Sequence, residues 1–331
     1  MVKLLFPEDG YLFDLHTPIQ KEFIHKIHTF GTEEALAWLA TVKNDQERSY
    51  PESLTFRWED DCSESYSFEI AENADFLYST QYKTTETSII LYNLKIGTEY
   101  YWRVNGCPSR RFKTSADCPR FIRIDGVLNV RDIGGNKIKQ GILYRGTAID
   151  FPYVISEEGK TTFREELHIK TQLELRKDWK PNETKSIVPG VQRIYAPYRP
   201  YMEVFEEEHK KGICKIMQIL SEETNYPIFF HCKGGADRTG MIALYLRSIV
   251  GESDDEIHTD YELTALSTYA AGSAEGADGF RSRNKPYYRE FLDELQKYAP
   301  GQSISVCAKE FLLSCGVTAE QLDKIKKIIK A

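Results

Sequence analysis

A chain of 331 residues is longer than one hydrophobic core usually serves, so two domains are expected. Hydrophobic residues at 41% and charged residues at 28%, with 13 Pro and 21 Gly, exclude a collagen-like or wholly disordered chain. A formal net charge of -7 argues against nucleic acid or an anionic membrane as the main partner, since both demand a basic surface. No apolar run approaches the roughly 18 to 20 residues of a membrane span, and the best, 241–250, is broken by Arg247. The opening residues carry one Lys and two acids around a short apolar stretch, which fails as a signal peptide and points to the cytoplasm. The seven cysteines (62, 107, 118, 214, 232, 307 and 315) form no CxxC pair and have no His at ligand spacing. Reduced thiols are therefore expected, with neither a disulfide framework nor a structural zinc site.

In chain order, a first strand is expected within 4–15. Thr17-Pro18-Ile19-Gln20 then combines an N-cap, a proline at the first helical position and a Gln three residues on. Phe23, Ile24 and Ile27 follow at helical spacing, and a second helix follows Thr32. This stretch, about 17–46, reads as a helical insertion into a β domain. From 48 to 115 the pattern has period two: Leu54, Phe56 and Trp58 alternate with Thr55, Arg57 and Glu59, and the alternation repeats at Tyr66, Phe68, Ile70 and at Tyr100, Trp102, Val104. Turn signals at Glu72-Asn73-Ala74-Asp75 and Lys95-Ile96-Gly97-Thr98 separate the strands at the spacing of a small antiparallel sandwich. Leu94, Gly97-Thr98, Tyr100, Trp102-Arg103-Val104 and then Phe112 and Thr114 resemble the closing strands of a fibronectin type III domain. The resemblance implies such a sandwich over 1–117.

From Cys118 onward short apolar strands alternate with helices. Strands are expected at 121–124, 142–144, 171–175, 192–196 and 227–231. Capping boxes open a helix at Ser253 and the last helix at Thr318. The fold class expected for 118–331 is thus α/β, a mostly parallel central sheet flanked by helices, preceded by the all-β sandwich with its insertion. No internal repeat appears.

The chemistry concentrates in His231-Cys232-Lys233-Gly234-Gly235-Ala236-Asp237-Arg238-Thr239-Gly240, between an apolar strand and the helix at 241–250. A strand-loop-helix junction of this kind gathers backbone N–H groups and a helix N-terminus on an anion, and the two glycines let the backbone curl round it. The same donors would stabilise a thiolate at Cys232 and make it the nucleophile. Arg238 closes the cradle with a guanidinium that forks onto two phosphate oxygens. A bare C-x5-R arises often by chance; the preceding His, the internal glycines, the following Thr-Gly and the strand-loop-helix setting make this one specific.

These residues resemble the cysteine-dependent protein tyrosine phosphatases. More narrowly, Ile124-Asp125-Gly126, Asn129-Val-Arg131-Asp132-Ile-Gly134-Gly135, Gly141-Ile-Leu-Tyr144-Arg145, Glu174-Leu-Arg176, the loop and Asp260-Tyr261-Glu-Leu-Thr264 are similar to the bacterial tyrosine/serine phosphatases, in order, over nearly all of 120–330. The resemblance implies a phosphocysteine intermediate at Cys232. Arg238, Lys233, Gly234, Gly235 and Ala236 would hold the phosphate, Thr239 would hydrogen-bond the sulfur, and His231 would orient the loop by bonding backbone. It implies no metal and no cofactor. The Asn129 to Gly135 block reads first as a turn fixed by Asn and Asp side chains, with Arg131 in reach of the loop. Glu206-Glu-Glu-His209-Lys-Lys211 reads as a solvated helix face, and Asp260-Tyr261 as packing behind the loop.

A general acid must protonate the leaving phenolate. Between Trp179 and Ala236, where common tyrosine phosphatases carry it on a mobile loop, this chain has no Asp. Glu203 and Glu206 lie at about the right distance but among charges. Asp237, at the rim of the loop itself and matched by phosphatases with Asp there, ranks first; Glu174, with a salt bridge as its alternative role, ranks second. The expected substrate is a phosphorylated protein or peptide. A phospholipid headgroup or inositol phosphate is the rival, favoured by Lys233 and disfavoured by Ala236, where some lipid-active relatives carry Lys. A non-catalytic phosphoprotein-binding module is the second rival, and a rhodanese-like sulfur transferase is weaker still. The first 117 residues are expected to supply none of the chemistry, so that a chain starting near Asp117 retains hydrolysis.

Overall fold

The computed structural model describes residues 2–29, 33–41, 46–60, 63–177, 185–268 and 286–331. They divide into two compact units: Met1–Thr17 with Pro51–Phe121, and Pro18–Tyr50 with Ile122–Ala331. Among the described residues no helix is long and apolar enough to cross a membrane.

The first unit is all β. It contains β1 (Lys3–Phe6), β2 (Tyr11–Phe13), β3 (Leu54–Glu59), β4 (Tyr66–Ala71), β5 (Ser79–Thr84), β6 (Ser88–Leu91), β7 (Glu99–Val104), β8 (Arg110–Thr114) and the two-residue β9 (Arg120–Phe121). One antiparallel sheet runs β1-β3-β6; the other runs β2-β8-β7-β4-β5, with only the β2–β8 pair parallel. Alternation places Leu54, Phe56 and Trp58 of β3 inside and Arg57 and Glu59 outside. Phe56 meets Phe68 of the other sheet edge-to-face at 4.9 Å and Trp102 at 5.2 Å, so both sheets share one core. The single strand expected within 4–15 is two strands in different sheets. Pro7 cannot donate to a ladder, which ends β1.

The second unit is α/β. It holds α1 (Pro18–Lys26), α2 (Glu33–Thr41), β10 (Arg131–Asp132), β11 (Leu143–Gly146), α3 (Glu157–Thr161), β12 (Thr171–Glu174), β13 (Gln192–Tyr195), α4 (Glu207–Leu220), β14 (Ile228–His231), α5 (Asp237–Val250), α6 (Asp254–Glu262), α7 (Pro286–Gln296), α8 (Ile304–Ser314) and α9 (Ala319–Ile329). Within it the strands run β13-β12-β14-β11-β10; the first four are parallel and β10 is antiparallel to β11. The central strand β14 is buried on both faces. Ile228 and Phe230 join one apolar cluster and Phe229 the other, which is why its sequence is an unbroken apolar run. Capping boxes are formed at Ser253 and Thr318.

The junction expected at 117/118 falls at 121/122, and a second boundary is corrected as well. The segment about 17–46 was expected to belong to the β domain, but Pro18–Tyr50 clusters with the α/β unit. Polar bonds are part of the reason. The Gln20 side-chain amide donates to the carbonyls of Arg48 and Tyr50, both at 2.7 Å, and the Arg48 N–H donates to Leu266 O at 2.9 Å. The Glu47 carboxylate accepts from Ser267 Oγ at 3.0 Å and from the Thr268 N–H at 2.9 Å. Thr32, expected just before the second helix, and Cys62 lie outside the described residues.

Candidate active site

Strand β14 carries His231 at its end and delivers Cys232, which is 2% exposed, to a five-residue loop closed by the first turn of α5 at Asp237. The loop is held from outside. Lys233 O accepts from the Ala148 N–H at 3.0 Å, Gly234 O from Asn129 Nδ2 at 3.1 Å, and Gly235 O from Arg145 Nη2 at 2.7 Å. In a planar trans peptide the carbonyl and the next N–H point in opposite directions. Tying three successive carbonyls outward therefore turns the N–H groups of Gly234, Gly235 and Ala236 the other way, into a concave nest for an anion. Gly235 adopts φ +65°, and a Cβ there would lie 2.4 Å from Gly146 O, so both the conformation and the close approach require glycine.

Behind these donors sits a buried charge cluster. Arg131 Nε donates to Asp260 Oδ1 at 2.9 Å, and its Nη1 donates to Asn129 Oδ1 at 2.8 Å. Arg145 Nη1 reaches Asp260 Oδ2, and Arg247 Nη2 lies 3.5 Å from Oδ1. Burial alone would raise the Asp260 carboxyl, but the guanidinium groups of Arg131, Arg145 and Arg247 hold it well below the usual carboxylate range. Burial, with Arg131 adding to it and Asp260 opposing, pulls the Arg145 guanidinium down to about 9. It remains a cation at neutral pH. The turn reading of the Asn129 block also finds its contacts: Asp132 accepts from the N–H groups of Gly134 at 2.8 Å and Gly141 at 2.6 Å.

His231 is fully buried, and burial pulls its pKa below the ordinary value. Gln172 Nε2 lies 2.9 Å from its Nε2 and Cys232 O lies 3.0 Å from its Nδ1. An amide that donates to Nε2 assigns the ring proton to Nδ1, which then donates to the Cys232 carbonyl. Glu174 is equally buried but is occupied: Arg176 donates to Oε1 from its backbone N–H at 3.0 Å and from Nε at 2.8 Å, and to Oε2 from Nη2 at 2.6 Å. Burial would raise this carboxyl, and the hydrogen bonds and charge of Arg176 oppose it, leaving Glu174 below the usual range. Asp237 stands apart from that cluster. It is half-buried at the start of α5, and its Oδ1 accepts from Tyr201 Oη. Thr239 is buried, and its hydroxyl has no hydrogen-bond partner; the expected bond to the Cys232 sulfur is not made. Lys233 is exposed and Ala236 is buried. Tyr198 Oη donates to Arg238 O. Glu203 pairs with Arg199 at 2.7 Å, and Glu206 is exposed.

A family model described as tyrosine phosphatase family matches residues 122–330. The chain belongs to the tyrosine phosphatase family. A tyrosine-protein phosphatase of Nostoc commune is 28% identical over 123 residues, covering 34% of this chain and 42% of that protein, so the match spans less than half of the relative's length. Among solved structures, the chain is similar to the core catalytic domain of the PP-IP phosphatase SIW14 from S. cerevisiae in complex with citrate, at 19% identity over 48% of this chain and 90% of that one, with a TM-score of 0.31. A second structure of the Siw14 catalytic core gives 18% identity, 49% and 93% coverage and a TM-score of 0.30.

In this tyrosine phosphatase family member Cys232 and the glycines stand on the loop, Asp237, Arg238 and Thr239 in the first turn of α5 and His231 at the end of β14, while Glu174 sits in an ion pair to the side. Sequence reasoning missed the outer donors Asn129 and Arg145 as loop supports, although both stand in the blocks that carry the family resemblance. It also missed Tyr198 and Tyr201, whose only signal is a tyrosine-rich stretch, Tyr195-Ala-Pro-Tyr198-Arg-Pro-Tyr201. Glu206, Glu207, Glu208 and Lys211 are exposed, Lys210 is half-buried and His209 is buried. The described cysteines other than Cys232 are also free thiols.

Proposed function

We propose that this chain is a cysteine-dependent phosphomonoesterase that hydrolyses phosphotyrosine, with phosphoserine and phosphothreonine as further substrates. The observation that carries the reading is the loop whose three successive carbonyls are tied outward behind Cys232, leaving its N–H groups to a tetrahedral anion. The Cys232 thiolate attacks phosphorus, forming an S–P bond as the P–O bond to the phenol breaks. The loop N–H groups and Arg238 take the equatorial oxygens, whose charge is redistributed in the transition state. Asp237 gives its proton to the departing phenolate oxygen. Water then attacks the phosphocysteine and passes a proton to Asp237. Inorganic phosphate leaves, and the thiolate is regenerated; the buried Thr239 hydroxyl, which makes no hydrogen bond in this structure, would turn to donate to the departing sulfur. His231, by bonding the Cys232 carbonyl, fixes the loop's first peptide. No step needs a metal or a cofactor.

A second reading, hydrolysis of a phosphoinositide or inositol phosphate, draws support from the exposed Lys233 ammonium beside the nucleophile, which suits a ligand with more than one phosphate. For the first unit, the Tyr100 hydroxyl accepting the Lys95 N–H at 2.9 Å supports a fibronectin type III-like sandwich.

Purified full chain assayed side by side on a phosphotyrosine peptide, a phosphoserine peptide and a phosphoinositide ranks the substrates. Cys232→Ser is expected to lose turnover and still bind vanadate; retention of more than a few per cent of the rate would end the covalent reading. Arg238→Lys is expected to lose both rate and vanadate affinity, because a point charge cannot reproduce the fork. Vanadate binding with no turnover of any substrate by the wild type would favour a binding module.

A further inference from the structure

Tyr201 opens a short turn at Tyr201–Phe205 with φ +59°, a left-handed conformation that costs a non-glycine residue free energy unless its surroundings impose it. Three contacts impose it here. The Tyr201 N–H points at Met241 Sδ at 3.0 Å, the ring lies 4.6 Å from that of Tyr287, and the hydroxyl reaches Asp237 Oδ1. The same hydroxyl lies 2.8 Å from Tyr261 Oη, and the Tyr261 ring is stacked on Tyr288 at 4.1 Å with 7° between planes. A tyrosine has one hydroxyl proton, and a carboxylate only accepts. The Tyr201 proton is thus committed to Asp237, and Tyr261 must donate to the Tyr201 oxygen. The chain of hydrogen bonds runs in one direction, from α6 to the rim of the phosphate loop.

We propose that Tyr201, oriented by Tyr261, is the positioning residue of the general acid. By occupying Oδ1 of Asp237 it reserves Oδ2 for the proton that goes to the leaving oxygen, and it holds the carboxyl in one rotamer. The inference rests on Asp237 being the general acid.

The test measures kcat/KM of the full chain on aryl phosphates whose phenols rise in pKa, from p-nitrophenyl phosphate to phenyl phosphate and a phosphotyrosine peptide. A misplaced acid costs most where the leaving group most needs a proton. Tyr201→Phe keeps the ring and is expected to lose about 10-fold on phenyl phosphate, little on p-nitrophenyl phosphate, and no vanadate affinity. In an Asp237→Asn background the same substitution is expected to change nothing further. Tyr261→Phe is expected to show the same trend more weakly, and it carries the test if Tyr201→Phe does not fold. Equal losses on all leaving groups, or full additivity with Asp237→Asn, would overturn the positioning role. If Asp237→Asn itself leaves the leaving-group dependence unchanged, the general-acid assignment fails first and the role of Tyr201 falls with it.

Discussion

Replacing Asp260 by Asn would leave Arg131 and Arg145 cationic in a fully buried pocket with their shared anion gone. Removing one partner of such a cluster costs about 3 to 5 kcal/mol, because the remaining charges stay desolvated and unpaired. Asp260→Asn is therefore expected to lower the urea midpoint and to lose activity together, since Arg145 and, through Arg131, Asn129 hold the loop carbonyls. Asp260 also sets an acid limit. Its folded-state pKa lies well below the ordinary aspartate value, so the folded protein holds fewer protons there than the unfolded chain. Its stabilisation is complete above that value and drains away as pH falls below it. Urea midpoints followed from neutrality to about pH 3 are expected to fall at the acid end in the wild type and to fall less in Asp260→Asn. A slope unchanged by the substitution would assign the acid sensitivity to other carboxylates, with Glu174 the next to examine.

At the level of elements, the loop proposed to cradle phosphate is a piece of backbone more than a set of side chains. Gly235→Ala would push a Cβ against the Gly146 carbonyl in a conformation that alanine resists, and the loop would have to shift. Displacement by about 1 Å at a reacting centre costs on the order of 100-fold, so kcat/KM on p-nitrophenyl phosphate is expected to fall by about that factor. Far-UV circular dichroism is expected to stay near wild type. The elements themselves were legible because they are written in local pattern: the apolar run that became β14, the alternation that became β3, β4 and β7, and the capping boxes at Ser253 and Thr318. The loop from Cys232 to Arg238 was legible because the chemistry proposed for it needs fixed spacing. What supports the loop was not. Arg131 and Asp260 are 129 positions apart and Arg145 and Gly235 are 90 apart, and no periodicity links such partners. His209 escaped for the opposite reason, a buried residue inside a run of charges.

The whole molecule changes one expectation taken from sequence. A chain starting near Asp117 would discard Pro18–Tyr50, which belongs to the α/β unit and not to the β unit before it. Glu47 alone accepts from Ser267 and Thr268, and charged hydrogen bonds of this kind contribute about 1.5 to 3 kcal/mol each. Such a truncation is expected to melt lower than the full chain and to lose aryl phosphatase activity when warmed. A fragment as stable and active as the full chain would show that the segment is dispensable. Glu47→Ala in the full chain is the milder version, with a lower melting temperature expected and measured by differential scanning calorimetry.

The polypeptide crosses between the two units three times, at 17/18, 50/51 and 121/122. A protease that nicks only the last junction would therefore leave two fragments still joined, because the larger piece of the α/β unit keeps its grip on 18–50. Native gels of such a digest should show one band where denaturing gels show two. The same threading bears on inheritance: a recombination event that cuts once at 121/122 transfers an incomplete α/β unit, so this pairing of units passes between genes intact or loses a segment that the second unit packs against.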